Sequence, residues 1–546
     1  MMNRNCGSLM YPTVFKSVIL HSSFFAVTMD RQLGQTLLVL LLCRIGNSAC
    51  PYKCQCFTEH QVLCADERMS SLPRDISRQV REVIIMTSSL VYLFSNSLME
   101  SSQLTKLIFL NNALKSIHLT AFEHLTELQE LELSGNPNLD HLYLGTFSKQ
   151  EKLNKLLLNY NRLETILPGL FDPLTQLEVL QMKSNVLSDL PPFLFRNLSS
   201  LRILDLSQNR IQKVTRETFS GLANLEILKL GNNLIGNLTS DTFRNTSQLT
   251  ELHLEWNKIV QLDDGVFSAM ANLSVLNLRG NRLTAFVDKA FGGEPTNLKE
   301  LNLKGNRLTE LSLESLSSLT DLTLSDNQLS SLTENLFRNL TSLESLDLSD
   351  NQLTSLPEGI FKDLLSIEVI NLHNNNLTEL DSKLFQDQVL LKRLYLSDNQ
   401  LETLPLGLFD NFILRPTVRL HGNPWRCECQ LWYLHDWLIQ NLQDVELSDL
   451  VACERPDSLR KRTLVSIRKD QLVCHRSAEW MPEPNSCSLQ VSNNTVVVRC
   501  SVEKCSTMTV KVQFQEEDGE VREHILEKES DKAQCSNETL RESTID

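Results

Sequence analysis

The middle of the chain repeats one leucine-rich motif at a nearly constant spacing, and this repeat restricts the possible folds more than any other feature. One copy, residues 201–211, reads L-x-x-L-x-L-x-x-N-x-L with Ile in the last position. Its asparagine recurs at a spacing of 24 or 25, with a single shorter interval of 21. The asparagines are Asn112, Asn136, Asn161, Asn185, Asn209, Asn233, Asn257, Asn281, Asn306, Asn327, Asn351, Asn375 and Asn399. With a further copy that starts at Val80 and has Ser88 in the asparagine position, residues 80–414 are predicted to form a solenoid of 14 coils.

The repeat predicts how each coil is built. In L-x-x-L-x-L the leucines point to one side of a short strand, and the residues between them point to the other side. One such strand cannot bury its apolar side alone, so the coils stack and their strands form a parallel sheet. The asparagine amide both donates and accepts, so a buried column of asparagines can satisfy the peptide groups that leave the sheet.

A phenylalanine follows most of these asparagines after ten residues, and we expect the rings to stack inside the solenoid. The series is Phe122, Phe147 (eleven residues on, after the extra Pro137), Phe171, Phe195, Phe219, Phe243, Phe267, Phe291, Phe337, Phe361, Phe385 and Phe409. The shorter interval lacks three residues between Asn306 and Leu319, which puts Leu313 in the ring position. We therefore expect a flattened or weak point there.

Cysteines flank the repeats on both sides, as expected for caps that cover the ends of a solenoid core. The N-terminal cap, residues 50–79, contains Cys50, Cys54, Cys56 and Cys64, and the C-terminal cap, residues 415–476, contains Cys427, Cys429, Cys453 and Cys474. A zinc site would favour a Cys-x2-Cys pair, which is absent, so disulfides are the preferred interpretation and no metal or other cofactor is expected. Three pairings remain open in each cluster. Leu431, Leu434, Trp437, Leu438 and Leu442 have helical spacing and predict a helix across the end of the core.

The two ends of the chain differ from the repeats. Residues 1–49 are read as a leader and signal peptide, because Arg31 precedes the short apolar run 37–42 and small residues follow; Met29 is the expected start. Residues 477–546 form a cysteine-containing tail in which Cys487, Cys500, Cys505 and Cys535 are expected to form disulfides, with the pairing left open. Alternating Val510, Val512 and Phe514, then Asp518-Gly519, predict a small hairpin module in this tail. Because no apolar run is long enough to cross a bilayer, we expect a secreted protein without a membrane span.

Composition excludes some functions and motifs exclude others. The formal charge of −15 is unfavourable for tracking a phosphate backbone, so no nucleic-acid partner is expected. The eleven histidines show no metal-ligand spacing, and neither a nucleophile elbow nor a phosphate-binding glycine loop occurs. The chain is therefore predicted not to be an enzyme, with no catalytic residues.

The remaining surface is the concave side of the sheet, formed by the strand positions between the leucines. Its first two coils carry apolar residues, the eighth carries charged and aromatic ones, and Arg279 and Lys304 precede an acidic stretch that also includes Asp326 and Asp398. We predict that a protein partner binds here and that the acidic stretch steers a basic surface. The partner-binding residues are predicted to be Ile84, Met86, Ile108, Leu110, Glu251, His253, Glu255, Trp256, Asp321, Asp347 and Asp350.

Eight Asn-x-Ser/Thr sequons predict N-glycosylation in a secreted chain, and none of them uses an asparagine of the repeat. They are Asn197, Asn237, Asn245, Asn272, Asn339, Asn376, Asn493 and Asn537. Asn272 directly precedes a strand and Asn376 directly follows a repeat asparagine, so we expect these two to be less accessible than the others.

The repeats and caps resemble those of extracellular leucine-rich-repeat proteins, including Slit, the small proteoglycans, Toll-like receptor ectodomains and platelet glycoprotein subunits. The regularly spaced coils with Gly407-Leu408-Phe409, the cap sequence 420–425 (LHGNPW) and the tail segment 494–500 (NTVVVRC) are most similar to the family of the carboxypeptidase N regulatory subunit. This resemblance implies an α/β solenoid: a horseshoe with a parallel concave sheet, two disulfide caps and a small β-rich extension. It also implies the pairs Cys50–Cys56, Cys54–Cys64, Cys427–Cys453 and Cys429–Cys474.

For function, the resemblance implies a plasma glycoprotein that is not itself catalytic. Such a subunit binds and stabilises a zinc carboxypeptidase, the carboxypeptidase N catalytic subunit, which removes C-terminal Arg or Lys from circulating peptides; the expected assembly is a hetero-oligomer. Two alternatives belong to other classes of extracellular protein. One is a matrix or cell-adhesion binding protein, and the other is a soluble pattern-binding protein of innate immunity.

Overall fold

The computed structural model describes residues 50–95 and 97–474 and, beyond them, the backbone of five strands between 487 and 545. The predictions for residues 1–49, Asn493, Cys505, Cys535 and Asn537 lie outside the described residues, as do the side chains of Cys487 and Cys500. The chain divides into two units, Met1–Lys469 and Asp470–Asp546.

The first unit is a solenoid whose strands form one long sheet of eighteen strands. The sheet consists of β1 (Cys54–Thr58), β2 (Gln61–Cys64), β3 (Glu82–Met86), β5 (Lys106–Leu110), β7 (Glu130–Glu132), β8 (Lys155–Leu157), β9 (Val179–Gln181), β10 (Ile203–Asp205), β11 (Ile227–Lys229), β12 (Glu251–His253), β13 (Val275–Asn277), β15 (Glu300–Asn302), β17 (Asp321–Thr323), β18 (Ser345–Asp347), β19 (Val369–Asn371), β20 (Arg393–Tyr395), β21 (Thr417–Arg419) and β23 (Val445–Glu446). β1 and β2 pair antiparallel, and from β2 onward each strand pairs in parallel with the next strand of the sheet, which confirms the predicted solenoid with a parallel sheet.

Short elements lie beside this sheet. Three two-stranded pairs are β4 (Tyr92–Leu93) with β6 (Ser116–Ile117), β14 (Ala285–Val287) with β16 (Glu310–Ser312), and β22 (Trp425–Arg426) with β24 (Cys453–Arg455). One α-helix, α1 (Trp432–Gln440), occurs in the described part of the chain. The 3-10 turns are Asp288–Phe291, Cys429–Leu431, Leu442–Asp444, Ser448–Leu450, Leu464–Ser466 and Lys469–Gln471.

The core follows the predicted pattern of leucines and rings. The repeat leucines are buried, and so are all twelve phenylalanines of the predicted series. Several neighbouring rings lie nearly parallel: the centroids of Phe122 and Phe147 are 6.5 Å apart at an interplanar angle of 5°, and those of Phe361 and Phe385 are 5.8 Å apart at 8°. Centroid distances in this range are typical of aromatic pairs. Because the rings are also buried, they act as core residues.

The repeat asparagines form the predicted hydrogen-bonded column, here called the asparagine ladder. Asn209 is typical: its amide nitrogen donates to the carbonyls of Met182 at 2.9 Å and Leu206 at 3.0 Å, and its amide oxygen accepts from the Leu187 N–H at 3.1 Å. Asn423 makes the same three kinds of contact, although residues 415–476 were assigned to the cap. Its regular spacing from Asn399 was the signal for this additional coil.

The residue before each ladder position has a left-handed backbone, a regularity that the sequence analysis missed. All fifteen such residues have φ between 49° and 72°. They are Thr87, Asn111, Gly135, Tyr160, Ser184, Gln208, Asn232, Trp256, Gly280, Gly305, Asp326, Asp350, Asn374, Asp398 and Gly422. Gly, Asn and Asp tolerate this region best and occupy ten of the fifteen positions. Their frequency before the ladder asparagines was a sequence feature that indicated this backbone conformation.

The short coil is braced by side contacts. Leu313 is buried, as expected for the ring position. Asp288 in the preceding coil accepts hydrogen bonds from the Ser312 hydroxyl and the Ser315 N–H, both at 2.9 Å. The β14–β16 pair joins the same two coils. The deletion is thus bridged by contacts on the side away from the main sheet.

Disulfides are present in both caps. The structure pairs Cys50 with Cys56, Cys54 with Cys64, and Cys427 with Cys453. Cys429 and Cys474 are each disulfide-bonded as well. The pairs Cys50–Cys56, Cys54–Cys64 and Cys427–Cys453 agree with what the family resemblance implied, and the pair Cys429–Cys474 stays a prediction.

The C-terminal cap covers the end of the core. Trp425 is fully buried, and its indole N–H donates to the Leu420 carbonyl at 3.1 Å. The predicted helix is α1, which buries Leu434 and Leu438, whereas Leu442 lies beyond the helix and is exposed. The helix therefore ends earlier than the leucine spacing predicted.

The second unit contains the two strands of the predicted hairpin, whose turn residues Asp518-Gly519 lie outside the described residues. β27 (Met508–Gln515) pairs antiparallel with β28 (Val521–Lys528), with Val510 opposite Leu526. β25 (Cys487–Ser492), β26 (Thr495–Cys500) and β29 (Ser543–Ile545) form a three-stranded sheet in which Cys487 lies opposite Cys500.

Candidate protein-binding face

The sheet carries its outward side chains in straight rows, because in-register parallel strands place equivalent residues side by side about 4.8 Å apart. We call this surface the strand face; it is the concave side of the predicted horseshoe. Its members are the third, fifth, seventh and eighth residues of each L-x-x-L-x-L-x-x-N segment. The residues of the predicted partner site all belong to these rows.

The first coils place apolar side chains together on the strand face. Ile84 lies opposite Ile108 and Met86 opposite Leu110, and all four are half-buried. Leu63 of the N-terminal cap lies opposite Ile84 and extends the row, a contribution that the sequence analysis missed. We call these five residues the apolar patch.

A carboxylate borders the apolar patch. Glu132 lies opposite Ile108 on one side and Leu157 on the other. Burial between these neighbours raises the pKa of Glu132 above its ordinary value. The neutral acid is thus favoured more than on an open surface, and Glu132 was not among the predicted site residues.

An ion-pair cluster runs beside this carboxylate. Glu130 accepts from the ammonium groups of Lys106 and Lys155, each at 2.9 Å. Burial alone would raise the pKa of Glu130, but the two lysines outweigh it and lower the pKa. The N-terminal part of the strand face therefore combines an apolar centre with a charged border, as in protein interfaces.

The eighth coil brings its predicted residues together as a second cluster. The imidazole of His253 is 3.4 Å from the carboxylate of Glu251 and 3.9 Å from that of Glu255. Gly231 permits this arrangement, since a Cβ there would lie 2.2 Å from Glu255 Oε1. The histidine is held between two carboxylates.

Trp256 is held at the edge of this cluster. Its side chain is 51% exposed. The ring packs on Gly280, where a Cβ would come within 2.5 Å of it, and the Arg279 guanidinium lies 5.4 Å from the ring centroid. An exposed indole fixed in this way loses little conformational freedom when it binds a partner.

The predicted acidic residues of later coils accept hydrogen bonds from neighbouring side chains. Asp347 accepts from the Ser349 hydroxyl at 2.7 Å and from the Asn371 amide at 2.9 Å. Asp350 accepts from the Asn374 amide at 2.8 Å, and Asp321 accepts from the hydroxyl of its neighbour Thr320, also at 2.8 Å. These carboxylates therefore hold neighbouring side chains of the strand face in place and also give it negative charge.

A histidine pair farther along the strand face was missed. One carboxylate oxygen of Asp398 lies 3.2 Å from His373 Nδ1 and 3.7 Å from His421 Nε2. The two histidines occupy the same position of their coils, one coil before and one coil after Asp398, and this regularity was the signal for their proximity. No group of three or more His, Cys, Asp or Glu side chains within the described residues is arranged to hold a metal ion.

The six sequons in the described part lie outside the asparagine ladder and begin at Asn197. Asn197, Asn245 and Asn339 occupy the same position of their coils, twelve residues after a ladder asparagine. Asn272 and Asn376 are both exposed, so the expectation that they are less accessible was wrong. Each adjoins a buried residue, but its own side chain points outward.

Comparison with known proteins identifies the family. The leucine-rich repeat model matches ten overlapping segments that together cover residues 102–412, more than half of the chain. The chain belongs to the leucine-rich repeat family. Within that family, a stretch of 119 residues is 35% identical to human carboxypeptidase N subunit 2. That match covers 18% of this chain and 22% of the human protein.

Solved structures share the fold of this leucine-rich repeat protein. A leucine-rich repeat protein of Leptospira interrogans has a TM-score of 0.59 and 30% identity, over 69% of this chain and 92% of that chain. TLR13, from its complex with ssRNA13, has a TM-score of 0.52 and 23% identity, over 73% of this chain and 66% of that chain. Drosophila Toll, from its complex with Spatzle, has a TM-score of 0.51 and 19% identity, over 79% and 73%. At these identities, the last two show the fold alone.

Within the described residues, no helix is long and apolar enough to cross a bilayer.

Proposed function

We propose that this protein is a secreted, non-catalytic scaffold that binds and stabilises a zinc carboxypeptidase of the carboxypeptidase N type. The observation that carries the binding role is the apolar patch, because half-buried Ile, Met and Leu side chains side by side on a strand face gain free energy when a partner covers them. The choice of partner rests on the partial match to carboxypeptidase N subunit 2.

The distribution of sequons supports the N-terminal coils as the docking region. In residues 50–196 there is no Asn-x-Ser/Thr sequon, whereas six occur from Asn197 to Asn376. A glycan is bulky and strongly hydrated, so a surface without one is easier to cover with a partner. The apolar patch lies entirely within the sequon-free part.

Binding would stabilise the partner without any catalytic contribution from this chain. A protein that binds only the folded carboxypeptidase shifts its unfolding equilibrium by mass action, by about 2.7 kcal/mol at a hundredfold excess over Kd. The ordered sheet needs little rearrangement to bind, which limits the entropic cost.

The first experiment is co-purification from serum, followed by hydrolysis of a peptide with a C-terminal Lys. We expect a carboxypeptidase to accompany this chain and to survive heating longer in its presence. Recovery of the chain without any carboxypeptidase would contradict the proposed partner.

Substitutions then locate the contact. Ile108→Asp places a charge in the apolar patch and should weaken binding at least tenfold, about 1.4 kcal/mol or more. Ile227→Asp is the matched control, since Ile227 is a half-buried strand-face residue of β11 outside the patch. Equal affinity of both variants would exclude the apolar patch as the docking site.

A further inference from the structure

The C-terminal cap carries a dense group of basic residues that the proposed scaffold role does not use. Residues 453–469 contain six basic and two acidic side chains, although the whole chain has a net charge of −15. We call the six the basic patch, and every one of them is exposed. They are Arg455, Arg460, Lys461, Arg462, Arg468 and Lys469.

The backbone beneath these side chains is firmly held. The N–H of Lys461 donates to the Cys453 carbonyl at 2.8 Å, and the N–H of Cys453 donates to the Arg462 carbonyl at 3.0 Å. The disulfide Cys427–Cys453 ties this hairpin to the start of the cap. Leu459 and Leu464 are buried below it. The cations therefore project from an ordered surface.

Neighbouring contacts extend the positive surface. Arg455 lies opposite Arg426 in the β22–β24 pair, so two arginines stand on adjacent strands. The Arg462 guanidinium reaches the Ser466 carbonyl at 3.4 Å and so approaches the turn that carries Arg468 and Lys469. The basic patch thus continues over two successive turns of the cap.

Several acidic groups near the patch are already paired. Glu454 pairs with Arg460, Asp436 pairs with Lys469 at 2.6 Å, and Glu428 pairs with Arg426 at 3.0 Å. Asp457 is the other acidic residue of the segment 453–469. Because Glu454 and Asp436 each pair with one of the six cations, the positive excess of this surface rests on the other cations of the patch.

We propose that the basic patch binds a sulfated polysaccharide. Guanidinium groups bind the oxygens of sulfate or phosphate in bidentate fashion, and lysine adds a point charge. A chain with closely spaced sulfates can engage several of these cations at once. Because the backbone that carries the cations is already ordered, binding costs little backbone conformational entropy.

The composition of the patch favours a polysaccharide over a nucleic acid. Proteins that bind single strands combine cations with aromatic side chains on which bases stack. Residues 453–469 contain no aromatic residue, and the nearby ring of Trp432 lies against Lys469, whose ammonium is 5.6 Å from the ring centroid. The disulfides also place the chain in an oxidising compartment, where sulfated polysaccharides occur.

The test uses the full-length protein and heparin oligosaccharides. The triple variant Arg455→Gln, Lys461→Gln and Arg462→Gln should bind heparin at least tenfold more weakly. The slope of log affinity against log salt should fall by roughly one unit for each cation lost. The control variant Lys149→Gln, Arg244→Gln and Arg338→Gln removes three exposed cations elsewhere, with the same change in net charge. It should bind as the parent does.

The remaining outcomes decide the ligand class. Weak binding of desulfated heparin and of an oligo-dT strand of equal charge supports the proposal. Oligo-dT binding as tight as heparin binding would overturn the assignment to a polysaccharide, and equal loss in both triple variants would overturn the assignment to this patch. Lys461→Glu is a second variant, and an unchanged melting temperature shows that the cap is intact.

Discussion

A single ladder asparagine links the backbones of neighbouring coils. Asn209 is the acceptor for the Leu187 N–H. It shares the Met182 carbonyl with Asn185 and the Leu206 carbonyl with Asn233. Asn209 bonds two carbonyls and one N–H, and its own side chain is buried. An unsatisfied buried backbone group costs about 1–3 kcal/mol. The ladder therefore allows each coil to leave the sheet without losing hydrogen bonds. Glutamine is the other residue with a carboxamide that both donates and accepts, but its side chain is one methylene longer.

Replacing Asn209 with Ala should reduce the free energy of unfolding by about 3 kcal/mol, since the buried Leu187 N–H loses its acceptor and the Met182 and Leu206 carbonyls each lose one of two donors. Urea denaturation measures the change. Gln212→Ala is the control, because that side chain is exposed and the residue contributes its backbone N–H to the preceding coil. A loss for Asn209→Ala no larger than for Gln212→Ala would contradict the role of the ladder.

Glu132 is expected to destabilise the protein at neutral pH. Burial raises its pKa in the folded state above the ordinary value of 4.5. Between the unfolded and folded pKa values the folded state binds more protons, so the free energy of unfolding falls as the pH rises through this interval. At pH values above the pKa of Glu132 in the folded state, the full free-energy cost of its charged carboxylate remains.

Glu132→Gln removes this penalty. The variant should be more stable than the parent at pH 7, and the difference should disappear as the pH falls below about 4.5, where the carboxyl is neutral in both states. Thermal unfolding from pH 3.5 to 8 measures it. Glu123→Gln, an exposed position, makes the same change in charge and should not show this pH-dependent gain.

At the scale of elements, the ring stack and the side pairs hold each coil to its neighbours. The series of buried phenylalanines is interrupted at Leu313, where the coil is three residues shorter. The Asp288 contacts and the β14–β16 pair occur at this point. We infer that they compensate for the interruption of the rings.

Removing the Asp288 carboxylate tests this inference. Asp288→Ala should cost about 2 kcal/mol, because two hydrogen bonds to a charged acceptor are lost, one of them from a backbone N–H. Hydrogen exchange at residues 310–316 should accelerate. Asp264→Ala is the matched control, since Asp264 occupies the same place one coil earlier and is exposed. Unchanged exchange at 310–316 would show that the short coil does not depend on this brace.

At the scale of the molecule, the solenoid transmits stability from coil to coil. Each coil contacts its neighbours alone, so the stability of the array is a sum of coil and interface terms, and a weak interface can uncouple its two sides. The short coil lies between 12 main-sheet strands that precede it and six that follow it. It is therefore the place where uncoupling is expected.

Leu313→Ala should uncouple the two sides. A buried leucine cut to alanine costs about 2–5 kcal/mol. We expect hydrogen exchange to show two blocks with different protection, one before residue 285 and one after residue 320. Leu104→Ala, equally buried but in the second coil, should lower protection mainly at the N-terminal end. A single cooperative loss of protection in Leu313→Ala would contradict a nearest-neighbour solenoid.

Much of this architecture could be predicted from the sequence because the repeat is local. The leucines, ladder asparagines and rings recur at fixed positions of the repeat. Each of these positions has one structural role in a stacked coil. The repeat continues one coil further than predicted, to Asn423, because the cap motif Asn-Pro-Trp concealed the regular spacing. The left-handed backbone before each ladder position was not predicted, since residues such as Trp256 and Tyr160 occupy positions that favour Gly, Asn or Asp.

The candidate site likewise combines features that the sequence predicts with contacts that only the structure shows. Sequence alone determined the solenoid, the strand face and the apolar character of Ile84, Met86, Ile108 and Leu110, since these follow from period and side-chain direction. The tertiary structure decided which side chains meet across coils: Leu63 beside Ile84, Glu132 between Ile108 and Leu157, and Asp398 between two histidines. The physical reason is that burial, pKa shifts and ion pairing depend on neighbours a full coil away along the chain, which only the stacking of coils brings into contact.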